Sequence, residues 1–220
     1  MGFVRKVFTL LTVQLIFTSL IAGACFAKRK DPKFAKLMAQ PGVLFLALGG
    51  FLATYCSLVF CEVDKKVPTN YILLSIFTFC QAIMVGHAVM RVPDGSVVLA
   101  AACMTLAATS AIMLYAACSK NDFTVFGPSL FMIGNVMVIT GIFIAIFAPK
   151  MHYMFACVAV ILFGFYLLYD TQLIISGTYG GHRKFQIDEE SYIMATVVLY
   201  LDIINMFLYI LEILNSSEQQ

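Results

Sequence analysis

Asp202 lies near the middle of the stretch ATVVLYLDIINMFLYILEIL (195–214), which is otherwise apolar enough to cross a membrane. An aspartate at the centre of a bilayer costs roughly 2.5 to 3.5 kcal/mol on insertion scales, a cost that so apolar a span absorbs. Intramembrane carboxylates usually face a bundle interior or a watery cavity, and they mark ion or proton paths. The alternative is an interhelical hydrogen bond that fixes packing. We favour a functional role for Asp202 over a purely structural one.

Three further polar residues share the helix face of Asp202. Asn205, Tyr209 and Glu212 follow it at intervals of three, four and three residues, which places all four residues on one stripe of a helix. We expect this polar stripe to face protein or water rather than lipid.

A second aspartate, Asp170, lies in the preceding apolar run, four residues after Tyr166 and on the same helix face. Of the 14 basic and 12 acidic residues, only Asp170, Asp202 and Glu212 lie inside the predicted spans. The last two spans are antiparallel neighbours, and at 1.5 Å per residue the two aspartates differ in depth by about one helical turn, which errors in the span boundaries can remove. We therefore predict that the carboxyl groups of Asp170 and Asp202 meet.

Two carboxyl groups in contact inside a low-dielectric bundle cannot both ionise cheaply, so one proton shared between them becomes the stable state. Loss of the shared proton creates repulsion, which can separate two helices and open a path. A released carboxylate also attracts cations, and hard oxygen ligands suit Ca²⁺. Asp170 and Asp202 are therefore predicted to form a pH sensor on an ion pathway and to bind Ca²⁺ transiently.

The elements that must position these residues follow from the composition. With 61% apolar and 12% charged residues and a mean hydropathy of +0.93, the chain is an integral membrane protein. A span needs roughly 20 mostly apolar residues. The chain supplies seven such runs, at approximately 7–26, 43–61, 71–90, 97–118, 126–148, 153–175 and 192–214. The connections are short, so we predict one all-α domain over residues 1–220, a bundle of seven transmembrane helices.

The regions outside the spans carry less information. The first run is longer than the apolar core of a signal peptide, so we expect it to be retained. The basic segment 27–42 either forms a short helix in the headgroup region or is a basic loop that touches anionic lipid, and both remain open. Each side of the membrane collects seven basic residues, so charge bias does not set the orientation.

Several classes of site are not indicated by the sequence. No CxxC occurs and no histidine lies at ligand spacing from the cysteines, so neither a structural metal site nor another cofactor is expected. The sequence also contains no motif for a phosphate-binding glycine loop and no basic, aromatic segment that would bind nucleic acid. In the fifth span Pro128, Gly134, Asn135 and Gly141 permit either a kink near a pore or close helix packing, and packing is favoured.

Two segments, FGFYLLYDTQLIISG (163–177) and DEESYIMATVVLYLDIINMFLYILEIL (188–214), resemble the closing signature of the Bax inhibitor family, closest to its lifeguard branch. FVRKVFTLLTVQLIFTSLIA (3–22) resembles the opening span of that family. The resemblance implies a seven-helix fold with the last helix central. It also implies that Asp170 in YDTQ and Asp202 in YLDIIN match the pH-sensing pair of the family.

The function implied by this resemblance is a pH-sensitive Ca²⁺ leak across an internal membrane, with suppression of cell death. The endoplasmic reticulum or Golgi is the expected location, with the plasma membrane as the alternative. The expected partners are membrane lipid and Ca²⁺, together with apoptosis regulators or other calcium channels. One departure stands out, because some bacterial members carry an arginine in the second span that latches onto the aspartate pair. Residues 43–61 contain no basic residue, so this latch must differ or be absent.

Two other functions compete with a leak. A non-conducting interaction protein would bind regulators of cell death and use the aspartates only to hold the bundle together. An intramembrane aspartyl protease would also need two carboxyl groups that share a proton. Such proteases carry Gly-x-Gly-Asp at the second aspartate, whereas this chain has Leu199, Tyr200 and Leu201 before Asp202 and no later Pro-Ala-Leu segment. We therefore expect that the protein is not an enzyme.

Overall fold

The computed structural model describes residues 2–60, 63–176 and 189–218, and these residues form helices and connecting turns, with no strand among them. The α-helices are α1 (Gly2–Lys28), α2 (Pro32–Met38), α3 (Pro41–Phe60), α4 (Thr69–Met90), α5 (Gly95–Cys118), α6 (Gly127–Phe147), α7 (His152–Ser176) and α8 (Tyr192–Glu218). All except α2 are long and apolar enough to cross a membrane. The prediction of an all-α protein with seven spans is therefore confirmed.

The helices extend beyond several of the predicted apolar runs. α1 begins five residues before the predicted start and includes Arg5 and Lys6, and α8 continues past the predicted end at residue 214. Apolarity marks only the part of a helix that crosses hydrocarbon, whereas the hydrogen-bonded backbone continues into the polar headgroup region. Hydropathy therefore located the spans well and their ends less well.

The basic segment 27–42 contains the short helix α2. Asp31 is the N-cap residue, and its carboxylate accepts a hydrogen bond from the backbone N–H of Lys33 at 3.0 Å. Pro32 follows at the first helical position, where its missing N–H costs nothing. Met38 is buried and Leu37 is about half exposed, so α2 is amphipathic in the way that a headgroup helix requires.

The chain divides into two compact units. The first unit takes its described residues from 1–93 and 188–200, and in it α4 packs against both α1 and α3. Phe77 of α4 is fully buried at the centre, where its ring stacks on Phe51 of α3 at 5.1 Å and meets the edge of Tyr200 of α8 at 5.9 Å. α4 is thus the core helix of the first unit.

The second unit takes its described residues from 94–187 and 201–220, and in it α7 packs against α5 and α6. Tyr209 of α8 lies against two aromatic residues of α7, with its ring 5.8 Å from that of Phe163 and 5.9 Å from that of Phe155. Half of the α8 span is buried, the same share as in α4 and α7. The last helix is therefore well buried, and its central position stays a prediction.

Three glycines of α6 allow α7 to approach closely. They are spaced seven residues apart, so they lie on one face, and each is met by an aromatic residue of α7: Tyr169 at Gly127, Tyr166 at Gly134 and Phe155 at Gly141. A Cβ atom on Gly127 would lie 2.6 Å from the hydroxyl oxygen of Tyr169, and one on Gly141 would lie 3.0 Å from the ring of Phe155. These contacts support close packing as the role of the small residues of the fifth span.

We expect Gly134→Ala to destabilise the second unit by about 1 to 3 kcal/mol. A Cβ atom there would collide with the hydroxyl oxygen of Tyr166, and displacing Tyr166 breaks its 2.6 Å hydrogen bond to the carbonyl oxygen of Leu130. The measurement is thermal unfolding in detergent.

Gly49→Ala is the matched control, since Gly49 is an exposed helical glycine of α3 and a Cβ atom added to it would meet no other atom within 4 Å. This substitution should be neutral or slightly stabilising, because alanine favours the helix by about 1 kcal/mol over glycine. Equal effects of the two substitutions would contradict the packing role of Gly134.

Candidate functional site

The carboxyl groups of Asp170 on α7 and Asp202 on α8 meet. Their side chains are in hydrogen-bonding contact. Both are buried, with exposed fractions of 9% and 5%. The difference of about one helical turn in their predicted depths therefore does not keep them apart. Both aspartates belong to the second unit, so one compact body positions the pair.

The contact constrains the protonation of the pair. An ionised carboxylate has only acceptor atoms, so a hydrogen bond between Asp170 and Asp202 needs a proton on one of them. Within the described parts of the chain, neither carboxyl pairs with lysine or arginine, and the second oxygen of Asp202, Oδ2, is buried without a donor. A doubly ionised pair is disfavoured in this environment, because two unneutralised charges would face each other at low dielectric.

Tyr166 lies near Asp170 and Asp202, but its hydroxyl group forms a hydrogen bond with another helix. Its hydroxyl group donates a 2.6 Å hydrogen bond to the carbonyl oxygen of Leu130 on α6. Tyr166 therefore connects the surroundings of the carboxyl pair to the backbone of α6.

The polar stripe of α8 changes from buried to exposed along its length. Asp202 is buried, Asn205 and Tyr209 are half-buried, and Glu212 is exposed. Asn215 lies three residues after Glu212 and continues the stripe. Its side-chain oxygen is buried and has no hydrogen-bond donor among the described residues. At 1.5 Å per residue, the stripe from Asp202 to Glu212 covers about 15 Å of helix. It forms a polar line from the carboxyl pair toward the end of α8.

Gln172 is a structural residue that the sequence analysis missed. It is fully buried, and its side-chain oxygen accepts a 2.8 Å hydrogen bond from the backbone N–H of Phe123. Its amide nitrogen donates to the carbonyl oxygens of Asn121 at 3.1 Å and Ala116 at 3.4 Å. A side chain of α7 thus satisfies backbone groups of the linker between α5 and α6. The available signal was a glutamine two residues after Asp170 in an apolar run.

A second buried polar cluster lies in the first unit and was also missed. The amide of Gln14 on α1 donates to the hydroxyl of Thr78 on α4 at 2.7 Å. The hydroxyls of Thr18 and Tyr200 share a hydrogen bond of 2.7 Å. Gln81 lies one turn beyond Thr78, and its buried side-chain oxygen has no donor within the described ranges. These neutral groups connect α1, α4 and α8, and a search limited to charged residues does not find them.

The pair offers little to a resident metal ion. Across the described ranges, no group of three or more His, Cys, Asp and Glu side chains is placed to hold a metal. Ca²⁺ takes roughly six to eight oxygen ligands, whereas the pair supplies two carboxyl groups. A Ca²⁺ ion that passed Asp170 and Asp202 would therefore keep most of its water ligands.

Within the described residues, seven apolar helices and a buried contact between Asp170 and Asp202 define a polytopic helical membrane protein. Comparison with known proteins gives its family. The chain belongs to the Bax inhibitor family, since the family described as "Inhibitor of apoptosis-promoting Bax1" matches residues 1–219.

The similar proteins come from animals, plants and a bacterium. Protein lifeguard 3 of Homo sapiens is 30% identical over 219 residues, which cover 96% of this chain and 68% of the human protein. The BI1-like protein of Arabidopsis thaliana is 34% identical over 224 residues, 99% of this chain and 81% of the plant protein. Protein LIFEGUARD 4 of the same plant is 34% identical over 224 residues, 99% of this chain and 85% of the relative. The sequence resemblance to this family is therefore confirmed over nearly the whole chain.

We expect Gln172→Leu to destabilise the protein by about 1 to 3 kcal/mol, because the linker loses the side-chain groups that satisfy its buried backbone. The adjacent Thr171 provides the control, since it is also fully buried but its hydroxyl has no partner among the described residues. Thr171→Val should be neutral or stabilising. Thermal unfolding of the two variants measures the difference, and a larger loss for Thr171→Val would refute this role of Gln172.

Proposed function

We propose that the protein is a pH-sensitive Ca²⁺ leak of an internal membrane, gated by Asp170 and Asp202, and that it restrains cell death. The observation that carries this proposal is the contact of the two carboxyl groups inside a transmembrane helix pair. Placing two acidic groups in hydrocarbon costs free energy. Membrane proteins usually carry such groups where they move ions or protons.

The energy of the pair is sufficient for gating. Two unit charges about 4 Å apart repel by about 4 kcal/mol at an effective dielectric constant of about 20. A difference of about 4 kcal/mol shifts a two-state equilibrium roughly a thousandfold, enough to convert a closed population into an open one. Deprotonation of the pair therefore drives α7 and α8 apart, and the leak opens as pH rises through the titration of the pair.

The polar stripe of α8 extends this pathway. When α7 and α8 separate, Asn205 and Tyr209 line the opened face between Asp202 and the exposed Glu212. Neutral oxygen atoms and a small number of carboxylates let a hydrated Ca²⁺ ion enter without binding it too tightly to leave. The ion is a transient occupant of Asp170 and Asp202, and the protein needs no cofactor.

The role in cell death rests on the family, whose description names the apoptosis-promoting Bax protein. A leak in the endoplasmic reticulum or Golgi lowers the Ca²⁺ store and thereby restrains death signals, while contacts with apoptosis regulators or other calcium channels could act beside it. The protein has no enzymatic activity in this proposal. Leu199, Tyr200 and Leu201 stand before Asp202, where intramembrane aspartyl proteases carry Gly-x-Gly.

Ca²⁺ flux into proteoliposomes that hold the purified protein tests the proposal. Flux should be greater at mildly alkaline than at mildly acidic pH, and Asp170→Asn or Asp202→Asn should flatten this dependence. Asparagine keeps the size and hydrogen bonding of the side chain but removes the charge whose repulsion separates the helices.

Glu212→Gln removes a charge from the same stripe at an exposed position, so it serves as the matched control and should retain the pH dependence. If folded protein gives no flux above that of empty liposomes at any pH, the leak is refuted. The remaining function is then that of a non-conducting interaction protein. Flux that responds to pH equally in all variants would assign the gating to another group.

A further inference from the structure

A basic pocket lies in the first unit, where the ends of α1 and α4 approach α2. Its volume is about 470 Å³, and its lining includes four basic side chains and two methionines: Arg29, Lys30, His87, Arg91, Met38 and Met90. None of these residues belongs to the carboxyl pair or to its unit. The pocket is therefore a separate feature of the molecule.

The packing of α1 against α4 gathers the basic residues. The two helices run in parallel, and near their C-terminal ends Cys25 contacts Gly86 so closely that a Cβ atom on Gly86 would lie 2.8 Å from the sulfur. The basic residues of both helices therefore emerge at the same end. His87 and Arg91 are four residues apart on α4 and share a face.

Arg29 is held in place by the protein. Its guanidinium group donates to the carbonyl oxygens of Phe26 and Pro93, each at 3.1 Å, and lies 3.5 Å from the centre of the Phe26 ring. An arginine has five N–H donors, so donors remain for a ligand. Lys30 and Arg91 are exposed, and in the described parts of the chain neither side chain makes a hydrogen bond or ion pair. The pocket thus combines one fixed cation with two adaptable ones.

The residues that line the pocket include no aspartate or glutamate. Asp31 caps α2 through the backbone N–H of Lys33, and Asp94 caps α5 through the N–H and hydroxyl of Ser96. Neither aspartate lines the pocket. The positive charge of the lining is therefore available to an anion.

We propose that this pocket binds the phosphate group of an anionic lipid headgroup. Basic pockets between transmembrane helices at the membrane surface suit such headgroups, and guanidinium groups bind phosphate through paired hydrogen bonds. The pocket lies at the ends of two spans, where headgroups are found, and Met38 and Met90 give the glycerol and upper acyl region an apolar contact. A soluble phosphate ester shares the same recognition chemistry, so the test separates the two sources.

The test measures binding of a short-chain fluorescent phosphatidylinositol phosphate to the full chain in phosphatidylcholine nanodiscs. We expect saturable binding that Lys30→Gln combined with Arg91→Gln weakens about thirtyfold, from about fivefold for each charge near the membrane surface. Both side chains are exposed, so the double variant should fold, and its thermal unfolding verifies this.

Lys33→Gln combined with Lys36→Gln is the matched control. It removes the same charge from exposed positions of α2 that do not line the pocket, and it should change the affinity by less than the pocket variant does. Equal losses in the two double variants would show general attraction to a basic surface and would overturn the proposal. So would the lack of saturable binding to the unmodified protein.

Competition identifies the source of the phosphate group. Phosphatidic acid in the nanodisc should displace the fluorescent lipid, whereas an inositol phosphate in solution should not do so at a comparable concentration, because it lacks the contact with the apolar part of the pocket. Displacement by the soluble ester alone would overturn the assignment to lipid. The experiment requires no ion flux, so its outcome is independent of the Ca²⁺ leak.

Discussion

Hydrocarbon offers no hydrogen-bond partner, so a polar group inside the membrane is stabilised when it finds a partner within the protein. The structure meets this constraint with neutral contacts at most positions: Gln14 with Thr78, Thr18 with Tyr200, and Gln172 with a loop backbone. These contacts are insensitive to pH. The contact of Asp170 with Asp202 differs, because a hydrogen bond between two carboxyl groups requires a proton on one of them. In the proposed mechanism, protonation is coupled to helix packing at this contact.

The residues around Asp170 and Asp202 determine which other helices a movement of this pair would affect. Tyr166 lies beside both carboxyl groups and is bonded to the Leu130 carbonyl on α6, while its ring occupies the space opposite Gly134. A movement of α7 at Asp170 would therefore disturb a hydrogen bond and a steric contact on α6. Of the seven spans, the one that contains α6 has the smallest share of buried residues, 11%. Few other contacts would therefore oppose a movement of α6.

The sequence was sufficient to predict the seven spans and the meeting of the aspartates, because length, apolarity and depth follow from residue counts. It gave weaker guidance where the partner of a residue carries no side-chain signal. Gln172 forms hydrogen bonds with backbone groups of a loop. Gly134 is required because Tyr166 of another helix occupies the space where a Cβ atom would lie. Gln14 and Gln81 were missed because uncharged polar residues stand out less from an apolar run than an aspartate does. The ends of α1 and α8 were set by backbone hydrogen bonding beyond the hydrocarbon, which apolarity does not record.

The hydrogen bonds of Gln172 also bear on biogenesis. Chains emerge from the ribosome with their N-terminal part first, so α5, α6 and the linker between them are made before α7 exists. Before α7 is inserted, the backbone groups of Asn121 and Phe123 that Gln172 contacts need other partners, such as water at the membrane surface. Docking of α7 brings Gln172 to these backbone groups and so joins α7 to the linker between α5 and α6. The same step carries Asp170 into the bilayer, where Asp202 reaches it only when the final helix is synthesised.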